Sequence, residues 1–273
     1  MKRTYSLSFL TVPDLEPADA IRVATNAGYD RVGLRLLPAA ASGEDAYPIL
    51  TNPCVLKEAQ AALADTSLRV GDVEIVRLKP QTKVEEFIPF LDCAATLGAA
   101  NILVAGDDGN HVRLTQTFAA FAELAGRYGM TADLEFMPWT GVRNAGEANA
   151  IVQAAAHPAG GVLADALHWD RSGGKAEDLT AIPRASIHYF QLCDGLADYD
   201  ASDEGLISIA RGGRLMPGDG GIDLVSFLRA LPDDVPISVE IASLELTRQM
   251  PANERAALAL RKAMEVVKLS MSE

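Results

Sequence analysis

Short apolar runs rich in β-branched residues alternate along the chain with longer amphipathic segments. The first pair is TYSLSFL at residues 4–10, which predicts a strand, and an amphipathic helix that begins near Pro17 and that Gly28 is placed to end. A second strand, RVGLRLL, begins at Arg31. A strand, a helix and a second strand in succession form the βα unit from which parallel sheets are built.

The same unit recurs to the end of the chain without an interior linker or a break in composition. The predicted strands are TYSLSFL, RVGLRLL, VGDVEIVRL, ANILVAG, TADLEFM, GGVLADAL, SIHYFQL and PISVEIA. Two irregular segments interrupt the pattern, one at residues 38–53 and a longer one at residues 194–222. Eight βα units predict an α/β fold in which residues 1–273 form a single (β/α)8 TIM barrel, for which about 250 residues is typical. The alternative is an open doubly wound sheet, which is weakened because no GxGxxG follows the first strand.

Composition narrows the range of partners. The net charge is −13, so no nucleic-acid partner is expected, since nonspecific binding to phosphates needs a basic surface. The N-terminus MKRTYSLSFL has no long apolar core, so neither a signal peptide nor a membrane partner is expected. Cys54, Cys93 and Cys193 are few and far apart, which argues against a disulfide framework and favours a cytoplasmic protein.

Each of four predicted strands is an apolar run with one side chain near its C-terminal end whose oxygen could bind a metal ion. They are Glu135 in LEFMPW, Asp165 in VLADALHW, Gln191 in IHYFQLCDG and Glu240 in ISVEIAS. An isolated buried carboxylate is costly, and the C-terminal strand ends of a TIM barrel meet at the face that carries catalytic groups. Three carboxylates and an amide oxygen suit one hard divalent cation, Mn²⁺ or Mg²⁺, with Co²⁺ as a further option.

These strand ends, together with the DxxH pair Asp165 and His168, resemble the xylose isomerase-like TIM-barrel superfamily, in its sugar phosphate isomerase/epimerase branch. The resemblance covers the whole chain. It implies that the metal ligands are Glu135, Asp165, Gln191 and Glu240, and that the catalytic residues are Glu135 and Glu240. It also implies substrate binding by His168 and by Arg211 in RGGRLMPGDGGID, with Arg214 as the alternative to Arg211.

Other positions keep two interpretations each. Trp139 directly follows the Glu135 strand and either forms an apolar wall for a sugar face or packs in the core. Glu74, on the third predicted strand, either points into the barrel mouth or is a structural acid. Many sugar epimerases have His where this chain has Gln191, a departure shared with some 3-dehydroshikimate dehydratases. The resemblance further implies a homodimer or homotetramer.

The functional expectation is a divalent-metal-dependent isomerase or epimerase of a small sugar or polyol-like hydroxy-ketone. One glutamate would remove a proton next to the carbonyl group to form an enediolate, and the other would return it. The first alternative is a metal-dependent dehydratase of 3-dehydroshikimate or inosose type, because loss of a β-hydroxyl can follow the same first step. The second is a non-catalytic sugar-binding barrel, which predicts no tightly held metal.

Overall fold

The computed structural model describes residues 3–39 and 47–271 of the chain. In these ranges eight parallel strands pair in chain order, and the eighth pairs with the first, which closes the barrel. The strands are β1 Tyr5–Leu7, β2 Arg31–Arg35, β3 Arg69–Leu78, β4 Asn101–Gly106, β5 Thr131–Glu135, β6 Gly160–Asp165, β7 Phe190–Leu192 and β8 Ile237–Val239. The predicted (β/α)8 TIM barrel is confirmed.

Helices connect the strands. In the described ranges the α-helices are α1 Pro17–Ala27, α2 Pro53–Ala64, α3 Ile88–Thr96, α4 His111–Arg127, α5 Ala145–Ala155, α6 Ala166–Arg171, α7 Ala176–Thr180, α8 Asp203–Gly212, α9 Leu224–Ala230, α10 Leu244–Gln249 and α11 Ala252–Ser270. Short 3-10 helices occupy Phe9–Thr11, Pro48–Leu50, Val84–Phe87 and Arg184–Ser186. Within the described part of the chain, no helix combines the length and the apolar character that crossing a membrane requires.

Local sequence sets the ends of the helices. Pro17 is the first residue of α1, where its missing N–H costs nothing, and Gly28 ends the helix at a φ of 92°. The side chains of Asn110 and Asn144 accept backbone N–H groups at the starts of α4 and α5. Asp165 does the same for α6, so the last residue of β6 also begins the helix that follows it.

The core has two parts. The larger part fills the space between the helices and the outer face of the barrel. A smaller cluster lies apart from it, with members on strands β3, β4 and β6 and in the segments next to β2, β5 and β7. Its buried members are Ala39, Ile75, Leu103, Ala105, Met137, Leu163 and Tyr189. Gly33 on β2 leaves room for the Asp72 side chain, because a Cβ atom at Gly33 would stand 2.8 Å from Asp72 Oδ2.

Three sequence-based assignments differ from the structure. The segment 194–222 was predicted to be irregular, but it contains α8, and the buried carboxylate of Asp194 accepts backbone N–H groups from Gly195, Gly218, Gly220 and Ile222. These four N–H groups belong to a glycine-rich backbone, and the Asp194 carboxylate takes the place of the partners that a strand or a helix would give them. The first and seventh strands are also shorter than predicted. Part of the loop predicted at residues 38–53 lies outside the described residues.

Candidate metal centre and substrate cavity

Three carboxylates meet at the C-terminal ends of neighbouring strands. Glu135 is the last residue of β5, Asp165 is the last residue of β6, and Glu240 directly follows β8. All three are buried, and one oxygen from each lies within 4.8 Å of the others. The strand order places them on one side of the barrel mouth, as the sequence predicted.

Arg214 lies against this carboxylate cluster. Its Nη1 atom is 2.7 Å from Asp165 Oδ2 and its Nη2 atom is 3.1 Å from Glu240 Oε2. Its Nε donates to the carbonyl of Ala210 in α8. The guanidinium is buried, and one positive charge against three carboxylates leaves the cluster with two excess negative charges when all are ionised.

The pKa values of the three acids follow from their burial and from the charges around each of them. Burial, and then the charges of Glu240 and Asp165, raise the pKa of Glu135 well above its ordinary value. Burial also raises the pKa of Glu240, to about 7, although Arg214 opposes the shift. At Asp165 burial again acts to raise the pKa, but the charge of Arg214 prevails and lowers it. Without a further cation the cluster would therefore hold a proton.

Gln191 lies between Asp165 and Glu240 in the barrel wall. Its Nε2 donates to Glu240 Oε1 at 2.7 Å, and Ser8 Oγ donates to the same oxygen at 2.8 Å. The Oε1 atom of Gln191 is buried and accepts no hydrogen bond in the described part of the chain. An unpaired amide oxygen beside two uncompensated negative charges is a donor set that fits a divalent cation. The four predicted ligand residues thus come together.

His168 contacts two of the acids from α6. Its backbone N–H donates to Asp165 Oδ1 at 3.0 Å, and its Nε2 is 3.8 Å from Glu135 Oε1. Burial lowers the pKa of His168 to about 4, so the ring is neutral near pH 7. The ring of Trp139 packs edge-on against it, with centroids 5.1 Å apart.

A cavity of about 120 Å³ opens above the cluster. Glu135, Glu240, His168 and Trp139 line it, together with Arg211 from the last turn of α8. Arg211 is exposed, whereas the alternative Arg214 is buried against the carboxylates. The structure therefore separates the two arginines that the sequence left as alternatives.

The same cavity has a further wall, which contains Glu74, one of the residues that the sequence offered for the barrel mouth, and two arginines that sequence reasoning missed. Arg35, at the end of β2, pairs with Glu74 at 3.2 Å and lies over the ring of Phe9 at 4.6 Å. Arg77, near the end of β3, pairs with Asp107 at 3.0 Å. Arg35, Glu74 and Arg77 all line the cavity. A signal was available, because both arginines are polar residues near the C-terminal ends of strands, as Glu135 is on β5.

The fold and the site together define a single (β/α)8 barrel with a cluster of carboxylates at its C-terminal face. The family model of the xylose isomerase-like TIM barrel matches residues 21–267. The chain belongs to this family, which confirms the family inferred from the strand-end residues. A sequence comparison with curated proteins found no match.

Solved structures with the same fold share little sequence with the chain. The IolI protein with a bound zinc atom has a TM-score of 0.81 at 18% identity, and the match covers 99% of this chain and 100% of that one. The D-allulose 3-epimerase of Methylomonas sp. in complex with D-allulose has a TM-score of 0.69 at 17% identity, with 97% of each chain covered. The probable 3-DHS dehydratase AsbF of Bacillus anthracis has a TM-score of 0.73 at 14% identity, covering 96% and 98%. At these identities the likeness establishes the fold.

Proposed function

We propose that the chain is a divalent-metal-dependent isomerase or epimerase that moves a proton next to the carbonyl group of a sugar or sugar-like hydroxy-ketone. The observation that carries this proposal is the buried cluster of Glu135, Asp165 and Glu240, which has two excess negative charges after Arg214 is counted. Family membership supports the proposal, and an epimerase is among the structures that share the fold.

The cation would be held by Glu135, Asp165, Gln191 and Glu240. Oxygen ligands favour Mn²⁺ or Mg²⁺, with Co²⁺ also suitable. When bound, a divalent cation polarises the carbonyl group and stabilises the negative charge that develops on its oxygen.

The two glutamates differ in how firmly they are held. Glu240 accepts hydrogen bonds from Ser8 and Gln191 and pairs with Arg214, so its position is fixed. Glu135 accepts no hydrogen bond to its side chain from the described residues, and the ring of His168, which is neutral, lies 3.8 Å from its Oε1 atom. We infer that Glu135 removes the proton and that Glu240 holds or returns it from another side of the cavity. Neutral His168 would donate a hydrogen bond to a substrate hydroxyl.

Two further groups would position the substrate. Trp139 would cover one apolar face of a sugar ring, because it lines the cavity beside His168. Arg211, exposed at the rim on α8, would contact polar groups of the substrate.

A dehydratase is the second candidate. Its first step is the same proton removal, followed by loss of a β-hydroxyl. The arginine-lined wall at Arg35 and Arg77 favours it, because this wall suits an acidic compound such as 3-dehydroshikimate better than a neutral sugar.

The test uses the full-length protein loaded with Mn²⁺ or Mg²⁺ and offered ketoses and 3-dehydroshikimate. Isomerised or epimerised ketose supports the proposal, whereas ultraviolet absorbance from protocatechuate would replace it with the dehydratase. Glu240→Gln removes a ligand and a proton carrier and should lower turnover by at least about 100-fold. Glu245→Gln on α10 is the matched control and should keep full activity, because among the described residues the Glu245 side chain pairs only with Gln249. Unchanged activity of Glu240→Gln would remove this residue from the site.

A further inference from the structure

A second group of polar side chains lies inside the barrel, below the carboxylate cluster. Ser6 stands on β1 two residues before Ser8, and Ser238 stands on β8 two residues before Glu240. The residues on either side of each serine belong to the apolar core outside the barrel. Because strand residues alternate between the two faces of a sheet, both serines point into the barrel. They are paired in register, so they lie next to each other.

Asp72 enters the same space from β3. The pairing of β2 with β3 is irregular at this point, so that Gly71 and Asp72 together lie opposite Gly33. A Cβ atom at Gly71 would stand 3.0 Å from Ser6 Oγ, and a Cβ atom at Gly33 would stand 2.8 Å from Asp72 Oδ2. Ser6 and Asp72 are therefore neighbours, and the two glycines leave room for their side chains.

Tyr189 joins these residues from the segment just before β7. It lies two residues before Gln191, which is paired in register with Ser238. Burial, and then the charge of Asp72, raise the pKa of Tyr189 well above its ordinary value, so the phenol lies within reach of that charge. Four side chains thus form one interior group: Ser6, Asp72, Tyr189 and Ser238.

Five oxygen atoms of the interior group have no hydrogen-bond partner within residues 3–39 and 47–271. They are both carboxylate oxygens of Asp72 and the hydroxyl oxygens of Ser6, Ser238 and Tyr189. Each of these four residues is at most 3% exposed. Buried polar atoms are nearly always paired, so five unpaired oxygens in one place indicate a bound ion or water. A TIM barrel usually fills this space with Val, Ile and Leu.

The charge of Asp72 favours a cation over water alone. After burial, the charges of Glu74, Glu240 and Asp133 raise the pKa of Asp72 well above its ordinary value. The charge of Arg31, which is partly buried, opposes them and is the smallest of these influences. An ionised carboxylate in such an interior is costly unless a positive charge compensates it. Water would pair with the oxygens but would supply no charge.

The ligand set indicates a cation with a single charge. Both oxygens of Asp133 are already paired, one with His188 Nδ1 and the other with Thr131 Oγ1, each at 2.6 Å. Asp133 is therefore not available as a second charged ligand beside Asp72. One carboxylate and three neutral hydroxyls balance one positive charge, and a set made only of oxygen atoms suits a hard cation.

We propose that the barrel interior binds one monovalent alkali cation, Na⁺ or K⁺, below the carboxylate cluster. Its ligands are the carboxylate of Asp72 and the hydroxyl oxygens of Ser6, Ser238 and Tyr189. The ion compensates the buried charge of Asp72 and joins β1, β3 and β8 under the floor of the substrate cavity. This inference is independent of the proposed function, because none of its ligands is a ligand of the divalent cation.

The first measurement compares the Tm of the full-length protein in the chlorides of Na⁺, K⁺ and tetramethylammonium. The ionic strength is equal, so that screening is the same, and a chelator removes divalent metals. Na⁺ or K⁺ at about a tenfold excess over its Kd should raise the Tm by at least about 3 °C relative to tetramethylammonium, which is too large for the site. Equal Tm values in the three salts would indicate water alone and would overturn the inference.

Asp72→Asn tests the charged ligand. This variant keeps the shape of the side chain and should abolish the salt-specific rise in Tm, whereas Asp65→Asn removes an exposed acid and should leave the rise unchanged. A rise that persists in Asp72→Asn refutes the proposed site. In tetramethylammonium chloride Asp72 keeps the raised pKa of a buried acid, so the pH dependence of Asp72→Asn is measured in that salt.

Ser238→Ala tests the hydroxyl ligands. In tetramethylammonium chloride this variant should be no less stable than the unmodified protein, because it removes a buried hydroxyl whose oxygen has no partner among the described residues. In NaCl or KCl it should lose part of the rise in Tm. An equal loss of stability in all three salts would indicate a hydroxyl that binds only water, contrary to the inference.

Two further measurements locate the ion. The rise in Tm should persist in Asp165→Asn, because Asp165 belongs to the carboxylate cluster and not to the interior group. A rise that is lost in Asp165→Asn and kept in Asp72→Asn would place the ion in the cluster and contradict the proposal. Crystals soaked in Rb⁺ should show anomalous scattering beside Asp72. Anomalous scattering only at the carboxylate cluster, or none, would likewise contradict it.

Discussion

Replacing Arg214 by methionine should strongly destabilise the metal-free protein. The guanidinium is buried, and its Nη atoms stand 2.7 and 3.1 Å from Asp165 and Glu240. Two ion pairs of this length contribute about 5–6 kcal/mol each at an effective dielectric constant of about 20, before the cost of burial is subtracted. Removing one member of a buried charged group typically costs about 3–5 kcal/mol, because the remaining charges lose their partner. For a chain of this size that is a loss of roughly 6–20 °C in Tm.

The assay is thermal and urea unfolding of chelator-treated protein, followed by circular dichroism. Arg184→Met is the matched control, because its ion pair with Asp234 is about half exposed and should contribute at most about 1 kcal/mol. Adding Mn²⁺ should raise the Tm of Arg214→Met by more than that of the unmodified protein, because the cation then supplies the missing positive charge.

The pH dependence gives an independent check. Burial alone would raise the pKa of Asp165, but the charge of Arg214 lowers it. A carboxylate with a lowered folded-state pKa stabilises the fold above its unfolded pKa of about 4 and loses this contribution as the pH falls through the folded value. The part of the stability difference between the unmodified protein and Arg214→Met that comes from Asp165 should thus be full at pH 7 and should shrink below pH 4. A gap under about 1 kcal/mol at pH 7, or one independent of pH, would refute this account of the cluster.

Three further substitutions test the barrel interior and the loop after β7. Burial, and next the charge of Glu74, raise the pKa of Asp72 well above its usual value, so its ionisation costs stability as the pH rises from about 4. The stability of Asp72→Asn relative to that of the unmodified protein should therefore be greater at pH 8 than at pH 4. An equal difference at the two pH values would contradict this. Gly33→Ala places a Cβ atom 2.8 Å from Asp72 Oδ2 and should lower the free energy of unfolding in urea by about 1–3 kcal/mol. No change would mean that the Asp72 side chain can move away from the new Cβ atom without cost. Asp194→Asn weakens four backbone hydrogen bonds and should cost at least about 2 kcal/mol, with faster proteolysis at residues 195–222; unchanged proteolysis would show that other contacts hold the loop.

Much of the fold was predictable because hydrophobic periodicity records which face of each element is buried. The carboxylates at the ends of β5, β6 and β8 stood out for the same reason, since a charge at the end of an apolar run needs a partner. The helix α8 was missed because it is short and flanked by glycines and acids. No local pattern shows that Asp194 would hold four N–H groups of the following loop.

Sequence spacing could not decide which of the two arginines of the RGGR segment is placed to bind the substrate. Arg211 lies on the exposed side of α8. Arg214 lies three residues further along, after the helix has ended, and is buried. Pairing of Leu215 with Asp194 and of Gly213 with Ser243 fixes the backbone around Arg214 so that its side chain points to Asp165. These contacts are distant in sequence, so the choice between the two residues needed the structure.

We propose that Glu135, Asp165, Gln191 and Glu240 together hold one divalent cation. The most direct measurement is elemental analysis of protein purified without chelator, joined to calorimetric titration of the metal-free protein with Mn²⁺. We expect one ion per chain. Binding should be lost in Asp165→Asn, which removes a carboxylate, and retained in Glu245→Gln. Protein that retains no divalent metal and shows no heat or Tm change with Mn²⁺ would contradict it.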